Sequence, residues 1–184
     1  GTLIIPNSVT TIGQYAFEGC YGLTGIELPS SITNIEKGAF MNCRGLRGTL
    51  TIPSSVTLIG EDAFINCENI SGTLTIPSSV MTIGKSAFAN CSQLTGTLII
   101  PNSVTTIGQY AFLGCYGLTG IELPSSLTSI EYGTFENCRG LTGTLIIPSS
   151  VTSIGSYAFY KTNFNSILIP NSVLDIGVDC FHSE

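Results

Sequence analysis

The residues best suited to chemistry in this 184-residue sequence are its seven cysteines, because a thiol can form a disulfide, bind a metal ion or act as a nucleophile. Six of them recur every 23 or 24 residues, and we call these the ladder cysteines: Cys20, Cys43, Cys67, Cys91, Cys115 and Cys138. The seventh, Cys180, lies outside this series. Such even spacing indicates a structural repeat, in which each cysteine holds the same place in successive units.

Disulfides and buried thiols are the two interpretations of the ladder cysteines. Stacked units would place neighbouring cysteines about 5 Å apart, within the Cα distance of a disulfide. Equivalent side chains in a stack, however, point in parallel, whereas a disulfide needs them to turn toward each other. We therefore favour reduced, buried thiols, with Cys180 as the one thiol that reagents reach, because a terminal unit can fray. Zinc is not expected, since His182 is the only histidine and no C-x-x-C pair occurs.

No other set of residues forms a catalytic pattern. The acidic residues stand at variable positions, the serines recur in turns and the lone histidine is terminal, so no Ser/His/Asp, Cys/His or paired-carboxylate set can be assembled. The recurrent glycines are not phosphate-binding loops, because no helix is predicted to follow them. We predict that the protein is not an enzyme and uses no cofactor or metal.

Composition restricts the partners. The net charge is −6 with only six lysines and arginines, which argues against nucleic acid and anionic lipid. Charged residues make up 10% of the chain, against about 25% in an average protein. No apolar run approaches the ~20 residues of a membrane span, so membrane insertion is not expected. The sequence shows no signal peptide and opens within the repeat at Gly1, so we expect a piece of a longer protein.

The elements that must position these residues are eight copies of one unit. A proline recurs every 22 to 24 residues: Pro6, Pro29, Pro53, Pro77, Pro101, Pro124, Pro148 and Pro170. A phenylalanine stands eleven residues after each proline: Phe17, Phe40, Phe64, Phe88, Phe112, Phe135, Phe159 and Phe181. Residues 1–57 match residues 96–152 at 49 of 57 positions, which indicates duplication of a block of four units.

Each unit predicts one turn of a solenoid. In the third unit Leu50 and Ile52 flank Thr51 with the alternation of a short half-buried strand, and the proline that follows turns the chain. Apolar residues then point inward again up to Phe64, and the stretch that ends at Cys67 is too short for more than a turn or a bent 3₁₀ segment. We predict a single solenoid domain over residues 1–184, a right-handed superhelix of about eight coils with short parallel strands. The phenylalanines should stack in one buried ladder.

The stretch LTIPSSVTLIGEDAFINC at residues 50–67 resembles the BspA-like, or Treponema-type, class of leucine-rich repeat. The resemblance implies that the L-x-I strands form a concave parallel sheet and that the Val-x-x-Ile stretches form a second set of strands. It also implies a secreted or cell-surface protein that takes part in adhesion and binds host matrix or other cell-surface proteins. The last unit departs from the pattern, with Thr162 in place of the ladder cysteine and Cys180 in place of alanine, so we expect a degenerate copy or partial cap.

Two further columns of equivalent positions have backbone explanations. The residues before the ladder cysteines should adopt a positive φ, because glycine and asparagine accept it most readily: Gly19, Asn42, Asn66, Asn90, Gly114 and Asn137. An asparagine ladder with a functional role is the alternative. The glycines before the strands should mark close backbone approach or a bulge: Gly25, Gly48, Gly72, Gly96, Gly120 and Gly143. Asn69 and Asn90 also match the N-x-S/T motif of glycosylation.

A partner would bind at the residues that point outward between the two inward residues of each strand. We call these the outward column: Ile4, Glu27, Thr51, Thr75, Ile99, Glu122, Ile146 and Leu168. A solvated face does not need its four large aliphatic residues, although such residues also simply suit strands. The predicted partner patch lies at the C-terminal part of the concave surface: Ile99, Glu122, Thr144, Ile146, Ser166 and Leu168. It suits a protein better than a glycan, and the alternative function is a spacer that presents another domain.

Overall fold

The computed structural model describes residues 1–183, and it contains no helix among them. The chain winds through about eight turns of a parallel β-solenoid with one repeat unit in each turn, which confirms the predicted fold. Its strands are β1 Thr2–Ile4, β2 Gly25–Glu27, β3 Asn34–Ile35, β4 Leu58–Ile59, β5 Thr82–Ile83, β6 Gly96–Ile99, β7 Thr106–Ile107, β8 Leu118–Glu122, β9 Ser129–Ile130, β10 Thr144–Ile146, β11 Ser153–Ile154, β12 Ser166–Leu168 and β13 Asp175–Ile176. Turns connect the strands, and the described residues contain no 3₁₀ segment.

The second strands of the units form the longer sheets. These two-residue strands arise from the Val-x-x-Ile stretches and pair in parallel in the orders β3-β4-β5-β7 and β9-β11-β13. Their isoleucines are buried except for Ile176 in the last strand, and Ile59 pairs with Ile83 in register with both fully buried. The second set of strands that the family resemblance implies is therefore present.

The phenylalanines form the predicted ladder through the centre of the core. Neighbouring rings stack nearly parallel, with interplanar angles of 3° to 8° and centroids 5.3 to 5.5 Å apart. The six rings from Phe40 to Phe159 are at most 1% exposed, whereas Phe17 and Phe181 at the two ends are half-buried. One continuous apolar cluster runs around this ladder from Ile5 to Cys180.

The turns that carry the phenylalanines are also the most regular hydrogen-bonded part of the solenoid. At the centre of one turn, the Phe64 N–H donates to the Ala87 carbonyl at 2.8 Å, and the N–H groups two residues before and after it donate to the next turn in the same way. These three bonds recur at all seven junctions between turns. The residues two positions before and two positions after the central phenylalanine have a positive φ, whereas the phenylalanine and its two immediate neighbours do not.

The positive φ predicted before the ladder cysteines is confirmed. All six of those glycines and asparagines have φ between 59° and 68°. A second positive-φ column, four residues earlier, was not predicted, because it contains bulky residues that rarely adopt this conformation: Tyr15, Gly38, Asp62, Ser86, Tyr110, Gly133, Tyr157 and Asp179.

The L-x-I strands do not form the continuous sheet that was expected. They pair as strands only in β1-β2, β6-β8 and β10-β12. Of the other four junctions along this face, two have one isolated bridge each, Gly48 with Ile70 and Gly72 with Leu94. Leu50 and Ile52 point inward as predicted, and both are 6% exposed. They are not part of a strand, however, so that prediction is wrong for their unit.

The length of the unit explains which strands pair. The three junctions with paired strands join outward-column residues 22 or 23 positions apart, as for Ile4 and Glu27. The four junctions without paired strands join residues 24 apart, as for Glu122 and Ile146. The additional residue is accommodated at a glycine with φ between 76° and 78°: Gly48, Gly72, Gly96 and Gly143. One extra residue in a strand disrupts its pairing locally.

The glycines before the strands therefore have two roles. The register shift between Gly96 and Thr97 confirms the predicted bulge. A Cβ atom at Gly48 or Gly143 would meet no atom within 4 Å, so close backbone approach does not explain those two glycines. Their positive φ explains them instead. Gly120 belongs to a shorter unit without this φ, and a Cβ atom there would lie 3.0 Å from Thr97 Oγ1.

Candidate partner-binding surface

The ladder cysteines are free thiols, and all of them except Cys20 donate a hydrogen bond to the preceding turn. Cys91 Sγ lies 3.2 Å from the Phe64 carbonyl oxygen and Cys43 Sγ lies 3.0 Å from that of Phe17, and Cys67, Cys115 and Cys138 repeat the contact. A thiol donates only while it is protonated. Burial raises the pKa of the Cys43 thiol to about 11 and that of Cys91 well above its usual value. Free thiols are therefore confirmed over disulfides, and burial is confirmed for five of the six ladder cysteines. The predicted burial is wrong for Cys20, which lies in the first turn of the solenoid and is only partly buried. The donor role of the thiols was not predicted.

The expectation that Cys180 is the accessible thiol is wrong. Cys180 is 3% exposed, because the last turn does not fray: backbone bonds from Tyr157, Phe159 and Lys161 hold it to the preceding turn at 2.8 to 2.9 Å. Cys20 is the one cysteine that is only partly buried.

We expect a thiol reagent to modify the native protein quickly at one site and the unfolded protein at all seven. The fast site is Cys20, because the other six thiols are buried and their protonated form is favoured. Counting modified sites by mass spectrometry, with and without denaturant, checks this. Cys20→Ser should remove the fast reaction, and fewer than seven modified thiols in the unfolded protein would instead indicate disulfides.

Neither a metal centre nor a membrane span is visible in the described residues. No group of three or more His, Cys, Asp or Glu side chains there is arranged to hold a metal ion. Residues 1–183 also include no helix of the length and apolar character that a membrane crossing needs.

The outward column faces solvent along its whole length, as predicted. All eight of its residues are exposed. Its four aliphatic side chains are exposed by 54% to 66% in Ile4, Ile99, Ile146 and Leu168. Isolated exposed leucines are normal, but two of these residues lie side by side, because Ile146 and Leu168 are register partners in β10 and β12.

The structure divides the predicted partner patch into two halves. Ile99 pairs with Glu122 across β6 and β8. Thr144 and Ile146 pair with Ser166 and Leu168 across β10 and β12. The two halves meet at the unpaired junction between β8 and β10.

A recess of about 570 Å³ occupies this junction, and we call it the β8–β10 recess. Glu122, Thr144 and Ile146 line it together with Gly120 and Phe164. Glu122 is the only charged residue among the described residues that line the recess. The lengths of the units indicate where this recess lies, because a 23-residue unit is followed there by a 24-residue unit.

The duplicated block has a second, smaller recess at the equivalent junction. It has a volume of about 150 Å³ and is lined by Gly25 and Glu27, the equivalents of Gly120 and Glu122. Arg47 also lines it, where the β8–β10 recess has Thr142. Both recesses are therefore lined by a glutamate, and the smaller one also has an arginine where the larger one has a threonine.

The two glycosylation motifs lie in different surroundings. Asn69 is exposed, and its side-chain amide donates to the Arg44 carbonyl at 2.8 Å. Asn90 donates its amide to the Asn66 side chain, which donates to Asn42, each at 2.8 Å. This asparagine ladder occupies the amide of Asn90 in a contact between turns.

Comparisons with known proteins agree with the fold. The family model described as "BspA type Leucine rich repeat region (6 copies)" matches residues 1–115 and 71–184. No curated protein matched the chain. A leucine-rich repeat protein from Bacteroides ovatus is similar in structure, with a TM-score of 0.78, 30% sequence identity, and coverage of 96% of this chain and 53% of that one.

Two further solved structures are similar over the whole length of this chain. A leucine-rich cell surface protein from Faecalibacterium prausnitzii has a TM-score of 0.63 and 29% identity, with 58% of its chain covered. The leucine-rich repeat protein of T. pallidum has a TM-score of 0.74 and 26% identity, with 78% of its chain covered. This chain thus spans little more than half the length of the first two of these proteins. Its repeats, their spacing and the family match over both halves show that it belongs to the BspA-type leucine-rich repeat family.

Proposed function

We propose that the solenoid is a non-enzymatic recognition module of a cell-surface or secreted protein and that it binds another protein through its partner patch. The observation that carries this proposal is the exposure of Ile146 and Leu168, at 63% and 54%, on two paired strands. Clustered exposed apolar residues are typical of binding surfaces. A similar chain from Faecalibacterium prausnitzii is described as a cell surface protein, which supports an extracellular location.

A protein partner fits the patch better than a glycan does. None of the six residues of the patch is aromatic, and glycans favour aromatic platforms. The adjacent threonine and serine side chains supply the polar groups that surround the apolar centre of many protein interfaces. Host matrix proteins and other cell-surface proteins are the partner classes that the family resemblance implies.

The double variant Ile146→Lys with Leu168→Lys tests this proposal. It should weaken binding by about tenfold or more, because two apolar contacts are replaced by charged side chains at the centre of the patch. The fold should be retained, since both side chains point into solvent. Binding is measured by surface plasmon resonance against a panel of purified matrix and cell-surface proteins.

Thr51→Lys with Thr75→Lys is the matched control for that test. It adds the same charge to the same outward column, outside the patch, and should leave binding unchanged. Equal affinity of the wild type and the Ile146/Leu168 variant would contradict the patch as the binding surface.

A spacer that presents another domain is the second candidate. It is supported by the near-identity of the two blocks, 49 of 57 residues, since a spacer requires length and not a particular surface. A wild-type chain that binds no protein of the panel would favour it.

A further inference from the structure

The β8–β10 recess contains two strand edges that are not paired with each other. β8 pairs only with β6, and β10 pairs only with β12. The Thr142 N–H donates to the Thr119 carbonyl at 3.3 Å, and the Thr152 N–H donates to that of Thr128 at 2.9 Å. Between these bonds, no backbone hydrogen bond within residues 1–183 joins the two turns. Consecutive backbone groups of a strand point to alternate sides, so β8 presents an open edge, on which another extended chain can pair.

Gly120 opens the space in front of that edge. The equivalent residues of the neighbouring units are Thr97 and Thr144, so glycine removes one side chain from a row of threonines. The resulting volume of about 570 Å³ lies in the range of ~300–1,000 Å³ that is typical of ligand sites. The recess can therefore accept an extended segment together with one of its side chains.

The charge of the recess indicates which kind of side chain the bound segment would place there. Glu122 lies at the recess with no basic residue among its described lining residues. In the duplicated recess, Arg47 is a basic neighbour of the equivalent Glu27. The exposed side chain of Ile146 adds an apolar surface beside the carboxylate. A long side chain with an apolar stem and a positive end complements both features.

We propose that the β8–β10 recess binds an extended peptide segment of a partner protein, which pairs with the open edge of β8 and places a lysine or arginine side chain beside Glu122. Addition of a strand to an open sheet edge is a recurring mode of peptide recognition, in which the backbone bonds supply affinity and the side-chain pockets supply specificity. This inference names the partner chemistry for the recognition function proposed above, and it rests on that function.

The probe is a set of capped peptides of about nine residues, with threonine and valine flanks and a central lysine, arginine, methionine or glutamate. Binding to the whole chain is measured by fluorescence polarisation. We expect the lysine and arginine peptides to bind at least about tenfold more tightly than the glutamate peptide, and the preference to shrink as salt is raised from about 50 to about 500 mM. Equal binding of the four peptides, or none, would overturn the proposal.

Two variants with matched controls locate the binding to the recess. Glu122→Gln should remove the preference for a basic residue, and Glu27→Gln should keep it. Gly120→Thr restores the threonine of the neighbouring units and fills the recess, so it should abolish peptide binding. The neighbour that a Cβ atom at Gly120 would meet is a side chain and not backbone, so the fold should persist, as circular dichroism can show. Gly25→Thr, at the duplicated position, should leave peptide binding unchanged.

The outcomes separate this inference from the proposed function. If Ile146→Lys with Leu168→Lys weakens binding to a panel protein while Gly120→Thr and Glu122→Gln leave both that binding and the peptide preference intact, the patch stands and the recess proposal is wrong. If the chain binds neither the peptides nor any protein of the panel, both are wrong.

Discussion

Replacing Phe88 with alanine should lower the free energy of unfolding by about 3–5 kcal/mol, as large-to-small changes in well-packed cores do. The Phe88 ring is 1% exposed and stacks between Phe64 and Phe112, with centroids 5.5 Å from each. Its removal leaves a cavity with a ring on both sides, and the backbone bonds of the same turn hold the walls apart. Urea denaturation followed by circular dichroism measures the loss.

Phe181→Ala is the control for this change. Phe181 stacks on Phe159 alone and is half-buried, so its truncation should cost clearly less than that of Phe88. Because a repeat protein can unfold in parts, the comparison uses the first transition that each variant shows. Equal losses in the two variants would contradict a ladder whose central rings carry the core.

Replacing Gly108 with alanine should destabilise the solenoid by about 3 kcal/mol, the upper end of the cost of overpacking. A Cβ atom there would lie 2.4 Å from the Lys85 backbone nitrogen and 2.7 Å from the Gly84 carbonyl carbon. Both atoms belong to the backbone of the preceding turn, which cannot move aside as a flexible side chain can. Thermal or urea unfolding of the variant measures the effect.

Gly13→Ala is the matched control, since Gly13 occupies the same place in the first repeat unit and a Cβ atom there would meet nothing within 4 Å. Neither glycine has a positive φ, so the two substitutions differ in space and not in backbone strain. Gly13→Ala should leave the stability close to that of the wild type. A comparable loss in both variants would show that contact between turns does not determine the need for glycine at this position.

The repeat made much of the fold predictable. The regular proline and phenylalanine positions predicted eight turns and the stacked rings, because a column of identical apolar residues can be buried only along a common axis. The positive φ of Asn66 and its equivalents followed in the same way from the residue types that accept it. The outward column followed from strand alternation, which persists at Thr51 even where the strand itself is not paired.

Two features could not be predicted in this way, for different physical reasons. Strand pairing depends on whether neighbouring turns have the same length, and a pattern that is aligned by residue type does not show how an extra residue such as Gly48 is accommodated. The thiol of Cys91 can be read from the sequence as a small apolar residue, and only the position of the Phe64 carbonyl shows that it also donates a hydrogen bond. The β8–β10 recess follows from the first of these features, and so was not predicted.

The uneven bonding between turns should make the solenoid mechanically anisotropic. Three backbone bonds and a ring stack join every pair of turns on the phenylalanine side. On the side of the outward column, four of the seven junctions have no paired strands, and two of these four have one isolated bridge each. We expect the molecule to resist bending that separates the phenylalanine turns and to yield to bending that opens the opposite side. Under tension between its ends, it should first lengthen at those four junctions, including the one between β8 and β10. The solenoid would thus change its curvature at fixed points without breaking its core.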